Sequence, residues 1–71
     1  MELVYTSHAT ERMAERGITA DEVEQAIGSP DIQTALASRI IVVKYLQGRR
    51  LEVVTARENN KIIIITAYYA S

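Results

Sequence analysis

The sequence lacks cysteine, tryptophan and phenylalanine altogether, and it contains one proline, three glycines and one histidine. Without cysteine there is no disulfide, no thiolate metal site and no thiol nucleophile. One histidine and scattered carboxylates match no metal-ligand spacing. The glycines are isolated from one another, so no glycine-rich loop is available to hold a phosphate. We therefore expect neither a metal site nor a bound cofactor.

Long apolar runs are missing as well. The aliphatic run at residues 62–65 is only four residues long, whereas a helix needs about 20 apolar residues to cross a bilayer. Residues 1–4 have neither the basic charge nor the apolar stretch of a signal peptide. The sequence therefore predicts a cytoplasmic protein without a membrane segment.

The chain length of 71 residues predicts one domain, residues 1–71, near the lower limit for independent folding. Its hydrophobic fraction of 48% is high for so small a core, which indicates a partner. The net charge of −1 argues against a generic nucleic-acid binder. Residues 1–38, however, carry two cations against seven carboxylates, and residues 39–71 carry six cations against two. The basic half is expected to face RNA, an acidic partner or the acidic half of a second copy.

Capping signals predict two helices in the first 30 residues. Thr6, or the serine after it, is a good N-cap for a helix of about ten residues. Gly17 is the natural end of this helix, because glycine adopts a positive φ without a steric penalty. Thr19 and Glu22 have the spacing of a capping box for the second helix. The Gly-Ser-Pro sequence at residues 28–30 ends it.

Strands are predicted after residue 30, where β-branched residues and tyrosine prevail. Three strands are expected over residues 39–46, 51–57 and 62–70, joined by two-residue turns at residues 47–48 and 59–60. Residues 1–6 and 32–36 are short extended segments, and each is a candidate strand. The fold class expected is α+β, with two N-terminal α-helices packed on a three- to four-stranded antiparallel β-sheet.

The two tight turns also predict how the strands pair. The predicted partners are Val42 with Val53, Glu58 with Lys61, Leu51 with Tyr68, and Val53 with Thr66. In this register both faces of the sheet are largely apolar, and two short helices cover only one of them. We therefore expect a homodimer or an obligate heteromer, with about 800 Å² buried per partner.

His8, Arg12 and Arg16 stand four residues apart, which in a helix places one imidazole and two guanidinium groups in a single row. Two like charges at this spacing cost roughly a few tenths of a kcal/mol, so a purely structural helix gains nothing from the pair. A proton-transfer group beside two fixed cations suits phosphate chemistry. The alternative is an ordinary solvated helix face, on which Glu11 and Glu15 reduce the charge.

Two further side-chain pairs have alternative interpretations. Arg49 and Arg50 lie beside a tight turn, where they form either a solvated turn or a phosphate site. Tyr68 and Tyr69 pack at a sheet end or an interface, or Tyr68 contributes a hydrogen-bond donor to a site.

The most specific motif is His-Ala-x-x-Arg-Met-x-x-Arg-Gly-Ile at residues 8–18. Together with Tyr5, Pro30, the hairpin at residues 48–51 and the Ile-Thr-Ala-Tyr sequence at 65–68, it resembles the small bacterial family called domain of unknown function 4258. The resemblance covers nearly the whole chain. That family in turn resembles the RelE-like toxins and the barnase–EndoU–colicin superfamily of metal-independent endoribonucleases.

This resemblance implies a RelE-like fold and a ribonuclease toxin that acts on RNA and is held by an antitoxin protein. It points to His8, Arg12 and Arg16 on the first helix, and to Thr66 and Tyr68 on the last strand. His8 would act as base or acid, the arginines would hold the phosphate, and the strand residues would donate a hydrogen bond. The sequence pI of about 5.7 departs from the basic character of RNA-targeting toxins. A second hypothesis is therefore a non-catalytic interaction module of the same fold, acting through an apolar sheet face.

Overall fold

Two helices and five strands follow one another along residues 2–70, the part of the chain that the computed structural model describes. In chain order they are β1 (Glu2–Tyr5), α1 (Ser7–Arg16), α2 (Ala20–Gly28), β2 (Ile32–Leu36), β3 (Arg39–Leu46), β4 (Arg49–Glu58) and β5 (Lys61–Ala70). The strands form one sheet in the order β1-β5-β4-β3-β2. The predicted domain boundaries, 1–71, include Met1 and Ser71, which lie outside the described residues.

The expected arrangement of two N-terminal helices on a three- to four-stranded antiparallel sheet is wrong. β1 precedes both helices and pairs parallel with β5, which places Tyr5 beside Ile64. β2 pairs antiparallel with β3 at the opposite edge. The described sheet is therefore mixed and has five strands. Parallel strands are joined by a long crossover and not by a tight turn, so no local turn signal marks β1 as a partner of β5.

Both helices begin where the capping signals predict. The Thr6 hydroxyl accepts a hydrogen bond of 3.0 Å from the backbone N–H of Ala9, and Gly17 ends α1 with a φ of 67°. Thr19 and Glu22 form the expected capping box, in which the Thr19 N–H donates to Glu22 Oε1 at 2.8 Å. These caps fix the positions of Arg16 in the last turn of α1 and of Glu22 in the first turn of α2.

The strand register is predicted correctly on one side of a β-bulge and wrongly on the other. Val42 lies opposite Val53, and Glu58 lies opposite Lys61, as expected. Beyond the shift at residues 54–55, Val53 faces Ala67 and Leu51 faces Tyr69, so the predicted partners Thr66 and Tyr68 are each wrong by one residue. The extra residue on β5 is Ile65, which has no partner on β4. One extra residue exchanges the faces of every side chain that follows it.

The hydrophobic core lies between the two helices and one face of the sheet. We call this face the covered face; its fully buried side chains include Val42, Leu51, Val53, Ile64 and Ala67. We call the opposite face the bare face, because neither helix lies on it. By strand alternation the bare face carries Val4, Ile41, Val43, Val54, Ile63 and Ile65. The bulge places Tyr69 on the covered face and Tyr68 on the bare face.

Candidate active site at the end of β5

The predicted row of His8, Arg12 and Arg16 lies along the solvent side of α1. Ala9 and Met13 are buried on the other side of this helix. His8 and Arg16 are exposed, and Arg12 is half-buried. Arg12 donates from Nη1 to Glu15 Oε1 at 2.9 Å within the same helix. This contact is what the solvated-face interpretation expects of Arg12.

Arg16 reaches from the last turn of α1 to β5. Its Nη1 donates to the carbonyl oxygen of Ala67 at 2.9 Å. The Thr6 hydroxyl donates to the carbonyl of Ile65 at 3.2 Å, and the Thr6 N–H donates to that of Ile64 at 3.1 Å. Helix α1 and its N-cap residue, Thr6, therefore donate hydrogen bonds to the edge of β5 from Ile64 onward, where the pairing with β1 ends. A guanidinium group has five N–H donors, so the contact with Ala67 uses only part of its capacity.

Tyr69 connects β5 with α2 and with the hairpin between β3 and β4. Its hydroxyl donates a short hydrogen bond to Glu22 Oε2. The guanidinium carbon of Arg49 lies 3.8 Å from the centre of the Tyr69 ring, a cation–π contact. Glu22 is held in place by the capping box. Three charged or polar groups from three elements therefore meet here in a fixed arrangement.

These contacts shift two pKa values in opposite directions. The hydrogen bond from Tyr69 is the main cause that lowers the pKa of Glu22, with a smaller contribution in the same direction from the Thr19 backbone. Burial, followed by the bond to Glu22, raises the pKa of Tyr69. At neutral pH, Glu22 is therefore an ionised acceptor and Tyr69 a neutral donor.

Arg16, Arg49, Tyr68 and Tyr69 line one open cleft where β5 ends. We call it the Arg16–Arg49 cleft. Guanidinium groups bind phosphate oxygens in pairs of parallel hydrogen bonds. Aromatic rings stack on nucleobases without regard to sequence. The cleft therefore combines groups suited to a phosphate with groups suited to a base.

A second polar cluster occupies the bare face at the same end of the sheet. Arg50 donates to Glu52 at 2.9 Å and to the Tyr45 hydroxyl at 2.8 Å, and the Tyr68 hydroxyl donates to Glu52 at 3.0 Å. We call this cluster the Glu52 network. Arg49 and Arg50 serve different clusters because neighbouring residues of a strand point to opposite faces.

The predicted site residues are only partly brought together. Tyr68 shares the cleft with Arg16, whereas Thr66 lies opposite Val54 on the bare face. His8 precedes Arg16 by eight residues, which is about 12 Å along a helix. The site prediction placed Tyr68, and not Tyr69, beside the helices.

Three residues of this site were not predicted as site residues. Arg49 was left as either a solvated turn or a phosphate site, and its position beside the turn was the available signal. Glu22 was explained by its capping box. Tyr69 was missed because the β-bulge moves its side chain to the covered face, and no residue type in the sequence indicates a bulge at this position.

No group of three or more histidine, aspartate or glutamate side chains that could hold a metal ion occurs within residues 2–70. In the same part of the chain, neither helix is long and apolar enough to span a bilayer.

A comparison with family models identifies the family of this chain. The model described as domain of unknown function (DUF4258) matches residues 5–69. No curated protein and no solved structure matches the chain. The matched range runs from the last residue of β1 to Tyr69 and includes every residue that lines the Arg16–Arg49 cleft. The chain therefore belongs to the DUF4258 family.

Proposed function

We propose that the protein is a metal-independent endoribonuclease of the RelE-like kind, which binds RNA in the Arg16–Arg49 cleft. The observation that supports this proposal is the meeting of two guanidinium groups from separate elements beside Tyr68 and Tyr69. The motif at residues 8–18, with its resemblance to ribonuclease toxins, supports the same function. An antitoxin protein would then be the partner that holds the enzyme inactive.

Such an enzyme cleaves RNA by an internal transfer that needs no other reactant. The 2′-hydroxyl oxygen attacks the adjacent phosphorus, and the bond from phosphorus to the 5′ oxygen breaks. A base accepts the 2′-hydroxyl proton, an acid protonates the departing 5′ oxygen, and cations stabilise the negative charge that builds up on the phosphoryl oxygens. The products are a 2′,3′-cyclic phosphate and a 5′-hydroxyl.

Arg16 and Arg49 are the groups that would hold the phosphate. Glu22, which is ionised, would accept the 2′-hydroxyl proton, and Tyr69, which is neutral, would protonate the leaving oxygen. The two are hydrogen-bonded to each other in the free protein. An entering 2′-hydroxyl would replace the phenol on Glu22 and leave the phenol free to donate to the 5′ oxygen.

His8 and Arg12 take a different part in this proposal. At about 12 Å from Arg16 along the helix, His8 does not reach the phosphate that Arg16 holds. Both side chains would instead contact the neighbouring stretch of the RNA chain. Thr66, on the bare face, has no role in the proposal.

The test is cleavage of single-stranded RNA by the purified full chain at pH values from about 5 to 8, with and without divalent metal. Arg49→Ala should slow cleavage about a hundredfold or more, the typical cost of removing one transition-state donor. Arg39→Ala is the matched control, because Arg39 is an exposed arginine at the opposite end of the sheet. If the wild-type protein leaves the RNA uncut under all these conditions, the proposed endoribonuclease activity is refuted.

A test in cells uses growth. Induction of the wild-type protein should arrest growth, and Arg49→Ala should relieve the arrest. His8→Ala tests the role of His8 separately from that of Arg16. Because His8 is proposed to contact a neighbouring stretch of the RNA and not the reacting phosphate, this variant should relieve the growth arrest only in part.

The second candidate function is a non-catalytic interaction module of the same fold. The aliphatic bare face supports this candidate, because neither helix covers it. It predicts that the protein neither binds nor cuts RNA, and that charged substitutions on the bare face abolish its effect in cells.

A further inference from the structure

We propose that the bare face is the interface between two copies of this chain, packed sheet against sheet. Its centre is aliphatic: Val4, Ile41, Val54, Ile63 and Ile65 are half-buried there, while Val43, at 2% exposure, is already buried in the single chain. The large hydrophobic residues most exposed within residues 2–70 are Ile32, Leu36 and Tyr45, at 41%, 61% and 48%. All three of them lie on this face by strand alternation.

A sheet with one solvated face normally alternates apolar and polar residues. Here each of the five strands contributes at least one apolar side chain to the face that points away from the helices, and the charged residues lie toward its ends. Contiguous apolar patches above a few hundred Å² on a small protein mark interaction sites. The bare face therefore has the composition of a protein interface, with an apolar centre and polar ends.

The area of the bare face fits a dimer. The described strands contain 4, 5, 8, 10 and 10 residues. At about 3.3 Å per residue and about 4.8 Å between strands, the flat area is about 600 Å² per copy. Stable interfaces begin at about 1,200 Å² in total, or about 600 Å² per partner.

The charges on the bare face favour a second copy over RNA. The cations are Arg39, Arg50 and Lys61, and the carboxylates are Glu2, Glu52 and Glu58. RNA binding needs unpaired cations, whereas this face has equal numbers of both signs and Arg50 is already paired with Glu52. A face without net charge does not repel its own copy, as a twofold interface requires.

This dimer leaves the Arg16–Arg49 cleft open. Arg49 and Tyr69 lie on the covered face and Arg16 lies at the free edge of β5, so Tyr68 is the one lining residue of the cleft that lies on the bare face. Two copies would therefore carry two clefts on the outer sides of a four-layer particle. The inference does not depend on the proposed ribonuclease activity.

The test measures the molar mass of the full chain by light scattering and sedimentation up to about 200 μM. The wild-type protein should be a dimer. Ile41→Lys and Ile63→Lys, at half-buried positions on β3 and β5, should each weaken dimerisation about a hundredfold or more. The reason is that the twofold axis buries the unpaired charge twice. Thr10→Lys adds the same charge to an exposed position on α1 and should remain dimeric.

Each result decides the proposal. A wild-type monomer at 200 μM overturns it, and so do folded lysine variants that still dimerise. If both variants unfold, dilution of the wild-type protein followed by amide NMR decides instead. Shifts confined to bare-face residues support the interface, whereas shifts confined to α1 and α2 overturn it.

Discussion

The two faces of the sheet are built from the same β-branched residues, yet their surroundings differ. On the covered face Leu51, Val53 and Ile64 are fully buried under α1 and α2. On the bare face Ile41 and Ile63 are only half-buried by their neighbours within the sheet. The comparison shows that one pattern of alternation can build a core on one side of a sheet and leave an apolar surface on the other.

The same contrast divides two neighbouring arginines. Arg50, on the bare face, is held by Glu52 and Tyr45. Arg49, on the covered side, stacks on Tyr69, and within residues 2–70 it forms no ion pair shorter than 4.0 Å. A guanidinium that is not paired with a carboxylate retains its donors for a ligand. The covered side therefore has the better phosphate-binding group.

The largest expected effect comes from truncating one aliphatic side chain on each face. Leu51→Ala should lower the free energy of unfolding by about 2–5 kcal/mol, because it leaves a cavity in the core. Ile63→Ala should cost less than about 1 kcal/mol in the monomer, since its side chain is already partly in solvent. Urea unfolding at about 1 μM protein, where a dimer contributes little, measures both. Equal losses would contradict the division into a covered and a bare face.

The next effect separates the two arginines by activity. Arg49→Ala should reduce RNA cleavage about a hundredfold or more. Arg50→Ala should change the rate less than about threefold, because its donors already bind protein groups. Single-turnover cleavage of one RNA by both variants provides the measurement. If Arg50→Ala is the more damaging change, the site lies in the Glu52 network on the bare face.

How much of the fold could be predicted depends on how local the signals are. Both helices follow from caps a few residues long, and the β3–β4 register follows from a two-residue turn. β1 pairs with a strand almost 60 residues away, and only the folded chain brings the two together. The fifth strand and the mixed sheet therefore escaped the prediction.

The bulge limited the prediction of the site. Residues 62–65 are four isoleucines, and nothing in such a run marks Ile65 as the extra residue. The helix-facing tyrosine was therefore assigned to position 68 in place of 69. Arg16 was predicted from its four-residue spacing to Arg12 and from the family resemblance, and Tyr68 from the resemblance alone. Glu22 was missed because a capping role had already explained it.

A smaller effect should appear as pH dependence on the covered side. The pKa of Glu22 is lowered from its ordinary value of 4.5, mainly by the bond from Tyr69. The unfolded chain therefore binds the proton more readily. The stabilisation from this bond is fully present above about pH 4.5 and is lost as the pH falls through the lower pKa of the folded state.

Removal of one phenol from each face tests this dependence. Tyr69→Phe should flatten the acid limb of a plot of unfolding free energy against pH. Tyr68→Phe is the matched variant, since it leaves the bond between Tyr69 and Glu22 in place. Chemical denaturation from pH 3 to 7 provides the curves. An acid limb that is unchanged in Tyr69→Phe would show that Glu22 is not stabilised by this bond.

The smallest expected effect concerns a buried hydroxyl on the covered side. The Tyr5 hydroxyl is the buried side-chain polar atom within residues 2–70 that has no hydrogen-bond partner. The Thr55 hydroxyl, also buried, donates to the carbonyl of Ile40 at 2.8 Å. A buried polar group without a partner destabilises the fold, whereas a partnered one contributes about 1 kcal/mol.

Tyr5→Phe should therefore leave the free energy of unfolding unchanged or raise it by up to about 1 kcal/mol, while Thr55→Val should lower it by about 1 kcal/mol. Thermal and urea unfolding of the two variants, measured side by side, give the sign of each change. A loss of stability in Tyr5→Phe would mean that the hydroxyl has a partner, such as a bound water, and that the covered side is fully satisfied.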